Sequence, residues 1–142
     1  MITLTVPDIY QQTGLLNSRT FLYHTLQIIG GIIMATHEFR IMPEAPVPGK
    51  RYDKYEPENN NCVKIDDELI SDIITEMESV DFIWHSLSLK GMSFSYWGVT
   101  LIPPTCLGAF IARIKNKPDL KGLKALMDKA LSENKWVIHF GL

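Results

Sequence analysis

The chain of 142 residues has little of what usually marks an activity. Only two cysteines are present, Cys62 and Cys106, far apart and without a CxxC spacing. That excludes a disulfide framework and the common zinc modules, and it suits a reducing compartment. Neither GxGxxG nor GxxxxGK[ST] occurs, so no glycine-rich phosphate cradle is encoded; the Gly30-Gly31 pair lies between apolar runs and suits a chain reversal. HExxH and GxSxG are missing too, which removes the simplest metalloprotease and serine-hydrolase readings. Net charge is −2, too small to draw the whole molecule to nucleic acid or anionic lipid. The opening MITLTVPDIY lacks the basic flank and apolar stretch of a secretion signal, so a cytoplasmic location is expected. One uncharged run, TFLYHTLQIIGGIIMAT over 20–36, is shorter than the about 20 apolar residues of a membrane span and is broken by His24, Gln27 and the glycine pair. A buried helix followed by a strand accounts for it, and no membrane association is expected.

What is present describes a folded domain. Hydrophobic residues make up 46% and charged residues 21%, the balance of a globular chain. Ile2, Leu4 and Val6 alternate as in a strand, and Leu22, Leu26 and Ile29 share a helical stripe between a Ser18 cap and Gly30-Gly31. From 32 to 41 the alternation returns, with His37, Phe39 and Ile41 on one face and Glu38 and Arg40 on the other. Prolines 43, 46, 48 and 57 and an asparagine run make 43–61 a long loop. IDDELISDIITEME predicts a helix capped by Asp66 or Asp67, and 80–101 predicts a hairpin turning near Lys90-Gly91, with a helix over 80–89 as the alternative. Two helices follow, over about 105–117 and 119–135, and KWVIHFGL closes the sequence as a strand. The expectation is one α+β domain over 1–142: a mixed sheet of four or five strands with helices packed on one face.

Candidate chemistry is sparse. Of four histidines, His37 and His139 sit in apolar strand contexts and could be sheet neighbours. They are the weak catalytic candidates, with Glu38 or Asp81 as the accompanying carboxylate of a small hydrolase. The competing reading is a pair of neutral core histidines bonded to backbone carbonyls. No metal site and no cofactor are expected. Cys106 falls at a helix start, where the dipole lowers a thiol pKa, but no cation or histidine lies beside it in sequence.

Charge distribution says more. Between Glu56 and Asp81 nine acids face one lysine, a local net of −8, whereas Arg113 to Lys135 carries a local net of +4. Patches of opposite sign speed encounters with complementary partners and reject wrong ones. The basic segment has no aromatic interleaving, so nucleic acid is not an expected partner. In the loop, Tyr52 and Tyr55 alternate with Lys50, Arg51 and Lys54, residue types enriched at binding hot spots. These features point to a non-catalytic binding domain, of an immunity or regulatory type. It would meet a basic protein surface through Tyr52, Tyr55, Glu76, Glu78 and Asp81. The alternatives are the histidine/carboxylate hydrolase and a homo-oligomer, a homodimer for instance, whose opposite patches dock on each other.

Overall fold

The computed structural model describes residues 27–29, 32–52, 54, 62–84, 86–88 and 90–142. Gln27–Ile29 (β1) and Ile32–Met34 (β2) pair antiparallel on either side of Gly30-Gly31. Thr36–Ile41 (β3), Val63–Asp66 (β4), Asp81–Trp84 (β5), Lys90–Met92 (β6), Val99–Ile102 (β7) and Val137–Phe140 (β8) form one sheet in the order β4–β3–β8–β7–β5–β6. Every neighbouring pair in it is antiparallel.

The α+β class stands, but the sheet is antiparallel and six-stranded rather than mixed and four- or five-stranded. Two local facts account for the difference. Val63–Asp66 reads in sequence as the lead-in to a helix, yet it pairs with β3. And the two helices expected between β7 and β8 bring the chain back antiparallel, where a single crossover helix would have made the pair parallel. The hairpin also differs: Lys90 and Gly91 lie inside β6, paired with β5. The chain then leaves the sheet at Ser93, whose φ of 63° breaks the extended run, and re-enters as β7 on the other side of β5. The helix expected up to Gly30 gives way at its end to β1, where Ile28 and Ile29 stand in register with Ile33 and Ile32; β-branched residues are enriched in strands. Its earlier part, and the strand expected at 2–6, lie outside the described residues.

Among the described residues, three helices cover one face of the sheet. Asp67–Ile74 (α1) runs on into a 3-10 turn, Thr75–Met77, and buries Ile70, Ile73 and Met77. Pro104–Ile114 (α2) starts on a proline whose missing N–H costs nothing in a first turn, and buries Leu107, Phe110 and Ile114. Lys121–Ser132 (α3) buries Leu123, Met127 and Ala130 at helical spacing. These side chains meet Phe39, Ile65, Phe82, Ile102 and Val137 of the sheet. Phe94 sits among them, stacked on Phe82 at 5.1 Å and edge-on to Phe110 at 5.4 Å. On the opposite face Met42, Val99, Leu101, Ile138 and Phe140 make a second apolar cluster, with Tyr52, Ile83 and Trp136 against it. None of the described helices is long and apolar enough to cross a membrane.

Asn134 ends α3 in the left-handed region, φ 52°. Its N–H reaches Leu131 O at 3.1 Å and the Lys135 N–H reaches Ala130 O at 2.9 Å, the paired bonds of a Schellman cap. Asn134→Gly should therefore be neutral or slightly stabilising, and Asn134→Ala should cost about 1 kcal/mol. Urea unfolding of the two variants checks the ordering.

Candidate functional site

Sheet register decides where the histidines meet. His139 on β8 stands opposite Phe39 on β3 and opposite Thr100 on β7, and His37 lies two residues before Phe39 on the same face. His37 is therefore diagonal to His139, on the side covered by the helices. Both imidazoles are fully buried, and their rings lie nearly parallel, 10° apart.

Hydrogen bonds join them into a chain. His37 Nδ1 is 2.9 Å from His139 Nε2, His37 Nε2 is 3.1 Å from Asp67 Oδ1, and His139 Nδ1 is 3.2 Å from Thr100 Oγ1. Asp67 is the first residue of α1 and also accepts from the Tyr96 hydroxyl. Because a carboxylate only accepts, His37 Nε2 carries its hydrogen. In the neutral pair His37 Nδ1 then accepts from His139 Nε2–H, and His139 Nδ1 accepts from the Thr100 hydroxyl. Thr100 Oγ1 in turn accepts from the Ser95 N–H at 2.8 Å. Every hydrogen in the chain points toward Asp67. It begins at Ser95 and ends at Tyr96, so both ends hold the same turn.

The chain keeps the burial of two imidazoles affordable, since a buried polar group without a partner costs about 1–3 kcal/mol. Burial, and then the neighbouring His37, push the His139 pKa well below its ordinary value. The Tyr96 phenol is raised, first by burial and then by the hydrogen bond and charge of Asp67. Asp67 is the chain's outlet to water, 29% exposed.

Neither carboxylate expected beside the histidines is there. Glu38 points to the other face of β3, where it is buried and takes Lys64 of β4 at 3.3 Å. Asp81 lies exposed at the start of β5, and its carbonyl accepts from Cys106 Sγ at 3.0 Å. Burial raises the Cys106 pKa, opposite to the direction that its place in α2 suggests. Of the binding candidates, Glu76 pairs with Lys117 at 3.1 Å and its carbonyl takes Arg113 Nε at 2.7 Å, so the acidic and basic segments touch here. Glu78 is exposed. Tyr52 packs on the opposite sheet face from Glu76; its hydroxyl accepts from Val47 N at 2.8 Å, and Lys50 lies over its ring. Tyr55 lies outside the described residues, as do His24 and His85. A cavity of about 680 Å³ lies between β3, β4 and α3, lined by Ile41, Met42, Val63, Leu126, Lys129 and Lys135 among others. Neither His37 nor His139 lines it. Among the described residues, no group of three or more His, Cys, Asp and Glu could hold a metal ion.

The residues that sequence reasoning passed over are Asp67, Thr100, Tyr96 and Trp97. Asp67 reads as a helix cap, although Asp66 already fills that place; two acids where one suffices was the available signal. Trp97 is 64% exposed at the tip of the 95–98 turn, edge-on to Tyr96 at 5.0 Å. Its sequence context, SYWG, puts a large aromatic beside a glycine in a turn. No protein-family model matches the chain, and neither does any curated protein or solved structure.

Proposed function

We propose that the protein is a non-catalytic binding domain that receives a basic protein surface on the exposed face of α1, with Trp97 as aromatic anchor. The observation that carries this reading is the position of Trp97. It is the most exposed large apolar side chain among the described residues, and Tyr96 beneath it is tied to the start of the acidic helix. Exposed tryptophans are enriched at binding hot spots.

The charge pattern supports the same surface. Glu68, Asp72 and Glu76 recur every four residues on the exposed side of α1 and its 3-10 extension, and α1 has no base in its last turn. Like charges four apart on a helix cost about 0.2–0.5 kcal/mol per pair. A basic partner would turn that cost into attraction. An immunity-type protein that covers the basic surface of a toxin is one concrete form of this function. The hydrolase reading has a histidine–carboxylate contact in its favour, His37 to Asp67, but both imidazoles are shut away from any substrate, and a general base must reach the proton it takes.

Native mass spectrometry of the protein purified at low salt from its own cells tests the proposal. The expected result is a stoichiometric protein adduct that dissociates as salt rises and is weakened at least tenfold by Trp97→Ala or Asp72→Lys, the loss typical of a hot-spot residue. A chain that carries a small molecule, or pairs only with itself, overturns it. So does an adduct indifferent to both substitutions.

A further inference from the structure

We propose that the turn carrying Trp97 is released by proton uptake at the buried His37–His139 pair, which makes the binding surface acid-sensitive. This rests on the binding role assigned to Trp97, and adds a control over it.

The geometry leaves the pair little freedom. In the neutral chain one hydrogen lies between the two rings, on a nitrogen–nitrogen distance of 2.9 Å. A proton added to His37 must sit on Nδ1, because Nε2 already donates to Asp67. His37 Nδ1–H then donates to His139 Nε2, and His139 must move its own hydrogen to Nδ1, facing Thr100. Thr100 Oγ1 now accepts from His139 and from the Ser95 N–H together, and its hydroxyl hydrogen has to find another acceptor. A second proton is worse, since it sets N–H against N–H and charge against charge across the same gap. Each protonation step therefore loads the Thr100–Ser95 end of the chain. The other end is held by the Tyr96 hydroxyl on Asp67, and an imidazolium at His37 draws that carboxylate to itself. Both grips on residues 95–97 depend on the state of the pair.

Among the described residues, other charged groups are poorly placed to produce the same response. From α1 Asp67 reaches His37, and β4 sets Ile65 against it, with Lys64 and Asp66 exposed on either side. β7 contributes Thr100, and the turn contributes Tyr96, edge-on to His37 at 5.2 Å. Phe39 and Phe94 pack on the His139 ring without charge, and Phe110 of α2 lies behind them. Glu38 and Arg40 belong to the other face of β3, where Lys64 holds Glu38.

The protein alone can be tested, labelled with 5-fluorotryptophan. Fluorine NMR gives a resonance for each of Trp84, Trp97 and Trp136, and Trp97→Phe assigns the middle one. As pH falls from 8 to 4 the Trp97 resonance is expected to move along a one-proton curve centred well below pH 6.5 while the other two stay in place. In His139→Gln the curve should flatten. Tyr96→Phe cuts the tie to Asp67 without touching the pair, so Trp97 should already be displaced at pH 8; this variant carries the test if His139→Gln fails to fold. A Trp97 resonance that stays fixed, or that moves only when Trp84 and Trp136 move, overturns the proposal. The salt-sensitive complex at pH 8 is a separate reading, so losing it defeats the binding role without bearing on the titration.

Discussion

Gly141→Ala is expected to lower the unfolding free energy by about 3 kcal/mol, an unusual loss for a single added methyl. A Cβ at this position would lie 2.2 Å from the Tyr96 carbonyl oxygen and 2.6 Å from that of Ser95, both backbone atoms without a rotamer to yield. The approach is close because the chain docks here: Gly141 N donates to Gly98 O at 2.7 Å and Leu142 N donates to Tyr96 O at 2.8 Å. Relief of the clash would displace the turn, sacrificing two hydrogen bonds of about 1 kcal/mol each on top of the strain of overpacking. Two other glycines calibrate the number. At Gly98 the nearest atom to a Cβ is the Ser95 hydroxyl oxygen at 2.7 Å, on a side chain that can rotate away, so Gly98→Ala should cost less than about 1.5 kcal/mol. Gly108 sits exposed within α2 with nothing within 4 Å, and Gly108→Ala should stabilise by about 0.5–1 kcal/mol. Urea unfolding of the three variants reads the series, and equal costs at 98 and 141 would refute the docking argument.

Acid should weaken the fold through His139. Its pKa lies well below the ordinary 6.5 in the native protein, and returns toward that value on unfolding. Between the two values the unfolded chain binds a proton that the native chain does not, so stability rises with pH there. The contribution is complete above about pH 7 and is lost as pH falls below 6.5, with a limiting slope of about 1.4 kcal/mol per pH unit. Comparison of urea midpoints at pH 7.5 and 5.5 should show a loss of about 1.4 kcal/mol from this group. His139→Gln should show less pH dependence, from a lower starting stability. His139→Ala should cost about 3 kcal/mol or more at pH 7.5, because it opens a cavity and leaves hydrogen-bonding atoms of His37 and Thr100 unmatched. A pH-independent midpoint between 7.5 and 5.5 would contradict the buried neutral pair. A loss of about 1.4 kcal/mol per pH unit still leaves a typical domain of about 5–15 kcal/mol folded two units below pH 6.5, so a local change at the 95–98 turn can be observed in a folded protein.

Legibility in the sequence followed the range of the interactions. α2 and α3 declare themselves through apolar spacing and Pro104, because helix signals lie within a few residues of one another. His37 and Phe39 on one face of β3, and Val137 and His139 on one face of β8, follow from alternation alone. Which strand lies beside which does not, since pairing joins residues about 100 positions apart and single-strand patterns are blind to it. Val63–Asp66 was obscured because four residues before a helix are too short to show a period. Asp67 was obscured for a different reason: an acid at a helix start already has a complete local explanation, so nothing in the sequence asks for a second one. Trp97 stood in view, but only the fold shows that it is uncovered.

The position of β8 has a kinetic consequence. It lies between β3 and β7, so without it the sheet falls into two unconnected pieces, β4–β3 and β7–β5–β6. Its bonds to β3 close a loop of about a hundred residues before they return any free energy. The strand therefore acts as a keystone. Folding should be slow for a chain of this length, in the millisecond-to-second range of non-local β topologies, with the histidine pair assembling at the rate-limiting step and not before it.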